Sequence, residues 1–414
     1  MLNILLKIKE YTFILGILAL PIYQTLNHWF FGLFMVVGFI ILLIERSQIK
    51  QIKYRRFYIL AIGSFFLLKI LGSFTAIDLN FGMKELTRSL PFVLYPIFIF
   101  TFKKDGFDFK HFEKKVFYAL SFGCVIAAII CWTNVILSLE PNAIPANTFF
   151  GWKKSGSFLT SILNIHPPYL GVLLVASIVF LIREAIYNKS LTKRIKGLHV
   201  STCLFLFIFL FNITARNALF FLIILSFVYI FYLRSWKLIL IPTIAIVIGV
   251  IIVVNHPSQY YRIKMYDMLG LSSNDKFKDK RFSRLEGSIN IFKKHPIIGV
   301  GGGHDQLLRN DYFKSNGDSI ALKKQLNAHN QLVEYLAAHG LIGGLVFICI
   351  NLFFLFRLLN VKDYFYLILF VNILVASLSE SIFERVLGIQ YYVILVTLII
   401  LSLDNKSKKL QKTV

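Results

Sequence analysis

Acidic side chains are scarce: 21 Asp and Glu stand against 45 Lys and Arg in 414 residues. A divalent-cation site needs several oxygen ligands, so one built from carboxylates has little to draw on. Cysteine is scarcer still. Cys124, Cys131, Cys203 and Cys349 all fall within long apolar runs, so neither a disulfide framework nor a thiolate metal site is implied. H-E-x-x-H and G-x-S-x-G are missing, and no Lys-Ser/Thr pair closes the glycine-rich stretch 299–303 as it would in a P-loop. Zinc-peptidase, serine-hydrolase and nucleotide-loop chemistries are thereby set aside. Internal repeats, heptad runs and low-complexity tracts are absent as well.

What remains is apolar. Hydrophobic residues make up 57% of the chain and charged ones only 16%, with a mean hydropathy of +0.69, whereas soluble domains are roughly 45–50% apolar. A helix crossing a bilayer needs about 20 mostly apolar residues, because lipid offers the backbone no hydrogen bonds. The apolar runs here are long and do not alternate, so they read as helices. Twelve are expected, near 11–26, 29–44, 57–75, 86–102, 116–137, 168–187, 198–213, 216–233, 237–254, 331–357, 362–379 and 388–403. The fold class is then an all-α polytopic membrane protein, with one membrane domain over 1–414. The first run follows only Lys7 and Lys9 and lacks a small-residue cleavage site, so it reads as an uncleaved first span.

Charge orients the spans. With the N-terminus inside, the inner segments hold 25 Lys and Arg, and the short outer ones hold six: Lys84, Arg88, Lys153, Lys154, Arg216 and Arg385. Such an excess marks the cytoplasmic side and places both termini there. The loop 255–330 carries 13 basic residues and seven acids, but loops above roughly 60 residues translocate regardless of charge. Much of the net charge of +24 is therefore basic loop facing anionic lipid, and no nucleic-acid partner is needed.

Within that large outer loop, RFSRLEGSINIFKK places Phe282, Leu285, Ile289 and Phe292 on one stripe of a helix, with Arg281, Arg284 and Ser288 together on another. An amphipathic helix at the membrane interface is expected there, ended by Pro296. A variable stretch, 305–326, follows, and then Asn327 is a plausible cap for the tenth span, with Ala328, His329 and Asn330 in its first turn. The outer chemistry is thus cationic and imidazole: Arg216, Arg284 and His329. Arginine forks grip phosphate, and a neutral histidine accepts a proton near neutral pH. The same residues have plainer uses, since interface arginines snorkel to lipid phosphate and a histidine can simply sit at a helix end.

Three segments carry a resemblance: TARNALF (214–220), SRLEGSINIFKKHPIIGVGGGH (283–304) and HNQLVEYLAAHGLIGGL (329–345). In this order, flanking one large loop, they resemble the O-antigen ligase and Wzy polymerase superfamily over about 205–350. The first half of the chain is similar only in hydropathy. The resemblance implies a GT-C-like fold and metal-independent, inverting glycosyl transfer from undecaprenyl diphosphate to an acceptor hydroxyl, without a cofactor. It further implies an active site on the periplasmic face of a bacterial inner membrane. The partners implied are a lipid-linked glycan donor, a lipid A core or other glycan acceptor, and the bilayer. Arg216 and Arg284 would hold the diphosphate, with Arg281 the alternative to Arg284, and the His329-Asn330 pair would activate the acceptor. Where the family has Ser-Arg-Gly, this chain has Ala215, Arg216 and Asn217.

The run Gly299 to Gly303 is expected to be a turn that lets backbone pass close under the active-site helix, where side chains do not fit; an anion-binding nest is the alternative. Arg88 and His166 are further candidates for substrate binding, the first equally an interface anchor and the second equally a helix-start residue before Pro167. Glu380, Glu384 and Arg385 form an outer cluster that either reads sugar hydroxyls or pairs internally. Lys69, within the third run, is either functional or snorkelling. O-antigen ligation to lipid A core is the favoured function, with a Wzy-type polymerase and, further off, a lipid-linked sugar transporter as rivals.

Overall fold

The structure is a computed structural model that describes residues 2–74, 79–102, 107–138, 155–233 and 281–413. Among the described residues there are helices and turns but no strand. In chain order the helices are α1 (Leu2–Ala19), α2 (Gln24–Ile44), α3 (Gln48–Tyr54), α4 (Arg56–Phe74), α5 (Leu79–Ser89), α6 (Pro91–Phe100), α7 (Phe109–Leu137), α8 (Pro167–Tyr187), α9 (Lys193–Asn212) and α10 (Arg216–Leu233). From residue 281 onward come α11 (Arg281–Lys294), α12 (His304–Ser315), α13 (Ser319–Lys324), α14 (Gln331–Val361), α15 (Tyr364–Ser377) and α16 (Val386–Thr413).

Among the described residues seven helices are long and apolar enough to cross a membrane, namely α2, α4, α7, α8, α9, α14 and the 386–406 part of α16. Arg216–Leu225 and α15 are apolar but shorter. The expected run 237–254 lies outside the described residues. The expected run 86–102 is divided: α5 stops at Ser89, and α6 restarts with Pro91 at its first turn, where a missing amide costs nothing. The first helix runs from Leu2 to Ala19, not 11–26, and Lys9 within it is buried, its ammonium on Thr101 Oγ1 and 4.2 Å from the Phe102 ring centroid.

Two compact units divide the chain. One comprises Met1–Leu20, Thr25–Ala119 and Arg281–Val414, the other Pro21–Gln24 and Leu120–Lys280. In the first, α16 is the central element and packs on α6, α14 and α15; nearly all of its apolar window is buried. Around it, α14 turns Phe347, Phe354 and Leu358 inward and leaves Leu341, Leu345, Ile348, Leu352 and Phe356 exposed. An exposed apolar stripe on one face, opposite a buried one, suits a helix with lipid on one side and protein on the other. In the second unit α8 packs on α9 and α10. Gly171 of α8 lets α10 come close, since a Cβ there would lie 2.7 Å from that of Ala215.

The helix read from RFSRLEGSINIFKK is α11, and it stops at Lys294, ahead of Pro296. Its inward face carries Gly287, Ser288 and Ile291, while Leu285, Ile289 and Phe292 of the expected apolar stripe are half-buried. Residues 305–326, which show no periodicity in the sequence, form α12 and α13; Asp318 starts the latter by accepting from the Ala321 amide at 3.1 Å.

Candidate active site

His329 stands one residue ahead of α14's cap, at φ +52°, a left-handed conformation uncommon for a residue with a Cβ. Asn330, not Asn327, caps the helix: its backbone is extended, and its Oδ1 accepts from the Val333 amide at 3.1 Å. Asn327 instead accepts from the His329 amide at 3.2 Å. The expectation that 328–330 form a first helical turn is thus corrected, and the histidine projects from the bend before the helix. Its Nδ1 lies 3.2 Å from Oε2 of Glu380, a nearly buried carboxylate. Its Nε2 is shielded and has no hydrogen-bond partner among the described residues.

The turn that carries Glu380 is tied to the start of α14 at three points. Asn330 Nδ2 donates to the Leu378 carbonyl at 3.0 Å, the Phe383 amide donates to Gln331 Oε1 at 2.6 Å, and Ser381 Oγ donates to Glu334 Oε2 at 3.2 Å. That same Glu334 oxygen accepts from the Ala328 amide at 2.9 Å, while Oε1 meets Arg309 Nη2 at 2.7 Å. Arg309, only 2% exposed, also pairs with Asp305 at 2.9 Å and donates to Ser288 of α11. Glu334 therefore connects the histidine bend, the 378–384 turn and, through Arg309, the helix that carries Arg284. Burial acts to raise the Asp305 carboxyl, but Arg309 and Lys69, with the Gly303 amide, outweigh it and hold it below the usual carboxylate range.

A second charge cluster lies alongside. Lys69 Nζ, 4% exposed, sits 3.0 Å from both Glu85 Oε2 and Glu384 Oε1. Arg88 Nη1 meets Glu85 Oε1 at 2.5 Å and Glu384 Oε2 at 3.4 Å. Two carboxylates share one lysine, and their proton affinities diverge. At Glu384 burial is overcome by Lys69 and Arg88, and the carboxyl is held low; at Glu85 burial and the Glu384 charge prevail, and it is raised. Glu384 thus pairs with Lys69 and Arg88, distant in sequence, and not within the expected 380–385 cluster, and Lys69 on the apolar helix α4 is a buried cation with two partners.

The glycine run meets α14 at a break. Gly340 has φ +62° and interrupts the helix, leaving the Ala337 and Ala338 carbonyls and the Leu341 and Ile342 amides without their in-helix partners. The 296–301 backbone supplies all four: Val300 and Gly301 donate to Ala337 and Ala338 at 3.3 and 2.8 Å, and Leu341 and Ile342 donate to Pro296 and Ile297 at 2.8 and 3.4 Å. The loop passes beside α14 as expected, at the break in the helix's first third and not below the His329 bend. Discontinuous helices in transporters turn their free ends toward substrate; here those ends are filled by the protein's own peptides.

The O-antigen ligase family model, Wzy_C, matches residues 201–348. The chain carries an O-antigen ligase domain. Comparison with curated proteins found no match. The family is one of ligase- and polymerase-type glycosyltransferases. The matched residues of the O-antigen ligase domain take in all three segments quoted from the sequence, from α9 through the first half of α14.

The candidate residues fall in both compact units. Arg284, half-buried on α11, belongs to the first unit, with His329, Asn330 and Arg88. The Arg281 side chain lies outside the described residues. Arg216 is the first residue of α10 in the second unit, half-buried and just after Thr214, whose φ is +50°. His166, exposed, precedes Pro167 at the start of α8 in that unit. Sequence reading missed Glu334, Asp305 and Arg309. Asp305 and Arg309 stand at i, i+4 spacing on α12, a signal present in the sequence, but Arg309's other partner, Glu334, lies on α14.

Proposed function

We propose that the protein is an integral-membrane glycosyltransferase that moves a glycan from undecaprenyl diphosphate to an acceptor hydroxyl, most specifically O-antigen onto lipid A core, at the periplasmic face of a bacterial inner membrane. The observation that carries this reading is His329 within the O-antigen ligase domain, held in a strained bend with its Nε2 shielded and unpartnered. An acceptor hydroxyl is a donor that Nε2 can accept from. In the reaction the hydroxyl oxygen attacks the anomeric carbon from the face opposite the diphosphate, its proton passes to Nε2, and the bond from carbon to phosphate oxygen breaks with inversion. Arg216 and Arg284 hold the diphosphate and stabilise the charge gathering on it as it leaves, so no metal is required. Asn330, whose two polar atoms are engaged with Val333 and Leu378, orients the bend. The filled helix break in α14 weighs against the transporter reading.

The test uses cells lacking the protein, complemented with wild type, Arg216→Ala, Arg284→Ala or His329→Ala, with membrane abundance checked for each. Gel profiles of lipopolysaccharide are the readout. Wild type should restore polymer on lipid A core, and the three variants should be abundant and inactive. If the null strain instead makes core capped with a single repeat, the activity is that of a polymerase. Normal profiles from the variants would overturn the site.

A further inference from the structure

Glu380 is left over by the reading above, and it is the group that touches the histidine. We propose that Glu380 is the positioning residue for His329: it fixes the tautomer that leaves Nε2 able to take a proton and stabilises the imidazolium once the proton has arrived. The inference rests on the glycosyltransferase reading. An ionised carboxylate only accepts hydrogen bonds, so Glu380 in that form, 3.2 Å from Nδ1, favours the neutral tautomer with its proton on Nδ1 and the lone pair on Nε2. During transfer the acceptor O–H bond breaks, Nε2 gains that proton, and Nδ1–H remains on Glu380. The imidazolium then has an anion beside it in a site shielded from solvent, where such a pairing is worth more than in water.

Three features show that the pair is built. Glu380 is 3% exposed, so its charge is withdrawn from water. Its turn is fixed to α14 by the bonds from Asn330, Gln331 and Glu334, residues that also set where the His329 backbone goes. Finally, His329 itself is held at φ +52°, and such strain persists only where the surroundings over-determine it.

The experiment uses the full-length chain in detergent, with donor and lipid A core extracted from the null strain. Glu380→Ala should lower kcat by roughly 100-fold, within the range attributed to proton transfer by a positioned group, with KM for the donor unchanged. Glu380→Gln, whose amide oxygen still accepts from Nδ1–H but carries no charge, should lose less. Added formate should restore the Glu380→Ala rate at least in part and leave His329→Ala inactive, an outcome that a purely structural role does not produce. Wild-type rates from both Glu380 variants, with His329→Ala inactive, would overturn this proposal alone. A loss in Glu380→Gln that formate cannot restore in Glu380→Ala, together with a collapsed melting temperature, would also overturn it. If the wild type transfers nothing from these substrates, the glycosyltransferase reading falls and takes this proposal with it.

Discussion

Gly299 and Gly340 meet across the break in α14, each at positive φ and each pressed against the backbone of the opposing segment. A Cβ on Gly340 would lie 2.3 Å from the Ile297 carbonyl oxygen and 2.6 Å from the Gly299 nitrogen; one on Gly299 would lie 2.5 Å from the Ala338 carbonyl. These neighbours are backbone groups, and the Ile297 and Ala338 carbonyls among them accept bonds across the break, so they cannot give way.

Alanine at either glycine should therefore be severely destabilising. The left-handed conformation alone costs about 1–2 kcal/mol for a residue with a Cβ, and the overlap adds roughly 1–3 kcal/mol. Gly317 is the control: it too has positive φ, +66°, but nothing lies within 4 Å of its added Cβ. Gly317→Ala should show only the conformational cost. Melting temperatures in detergent check this, and equal losses at all three positions would mean that close approach is not what the glycines serve.

Asn330 separates two roles in one side chain. Asn330→Ala removes both the cap on Val333 and the bond to Leu378, and should cost about 1 kcal/mol for the cap. Asn330→Asp keeps an oxygen for the Val333 amide and loses only the donor to Leu378. Transfer activity should fall in both variants, and stability mainly in the first. Full activity in Asn330→Asp would show that the Leu378 bond does not hold the His329 bend.

Lys69 neutralises two carboxylates at once, and its removal should be felt at both. Lys69→Met preserves the volume and leaves Glu85 and Glu384 buried side by side, at a cost of roughly 3–5 kcal/mol, the range for breaking a buried ion pair. Adding Glu384→Gln to that variant should recover part of the loss. Arg385, exposed on the neighbouring turn, should tolerate alanine to within about 0.5 kcal/mol. Thermal unfolding of the four proteins is the measurement, and a Lys69→Met variant as stable as wild type would make the cluster energetically idle.

Local features were readable in the sequence wherever the signal lay within a few residues. The α11 helix and its stop before Pro296 follow from side-chain periodicity and one proline, and seven of the twelve expected spans from run length. The glycine turn was readable as a close approach, although not its target at Gly340. What the sequence did not disclose is pairing at a distance. Lys69 meets one partner 16 residues away and another 315 away, and no local pattern ties either to it. The choice between Asn327 and Asn330 as cap was equally hidden, because both precede the same apolar run and only the backbone bend at His329 distinguishes them. Glu380 looked like one of three charges in an outer cluster; that it faces His329 follows from the turn tied to α14.

Asp305 gives a pH signature. Burial would raise its carboxyl, but Arg309 and Lys69 together with the Gly303 amide hold it below the ordinary range, so the folded protein binds this proton more weakly than the unfolded chain. For a depressed carboxyl, the stabilisation is fully present above the unfolded value, near pH 4, and disappears as pH falls through the lower folded value. Asp305→Asn abolishes that titration and leaves Arg309 with Glu334 as its remaining carboxylate among the described residues. The melting-temperature gap between wild type and Asp305→Asn should shrink as pH falls below about pH 4. A gap that widens on acidification would mean that Asp305 is protonated in the folded protein and that Arg309 is balanced by Glu334 alone.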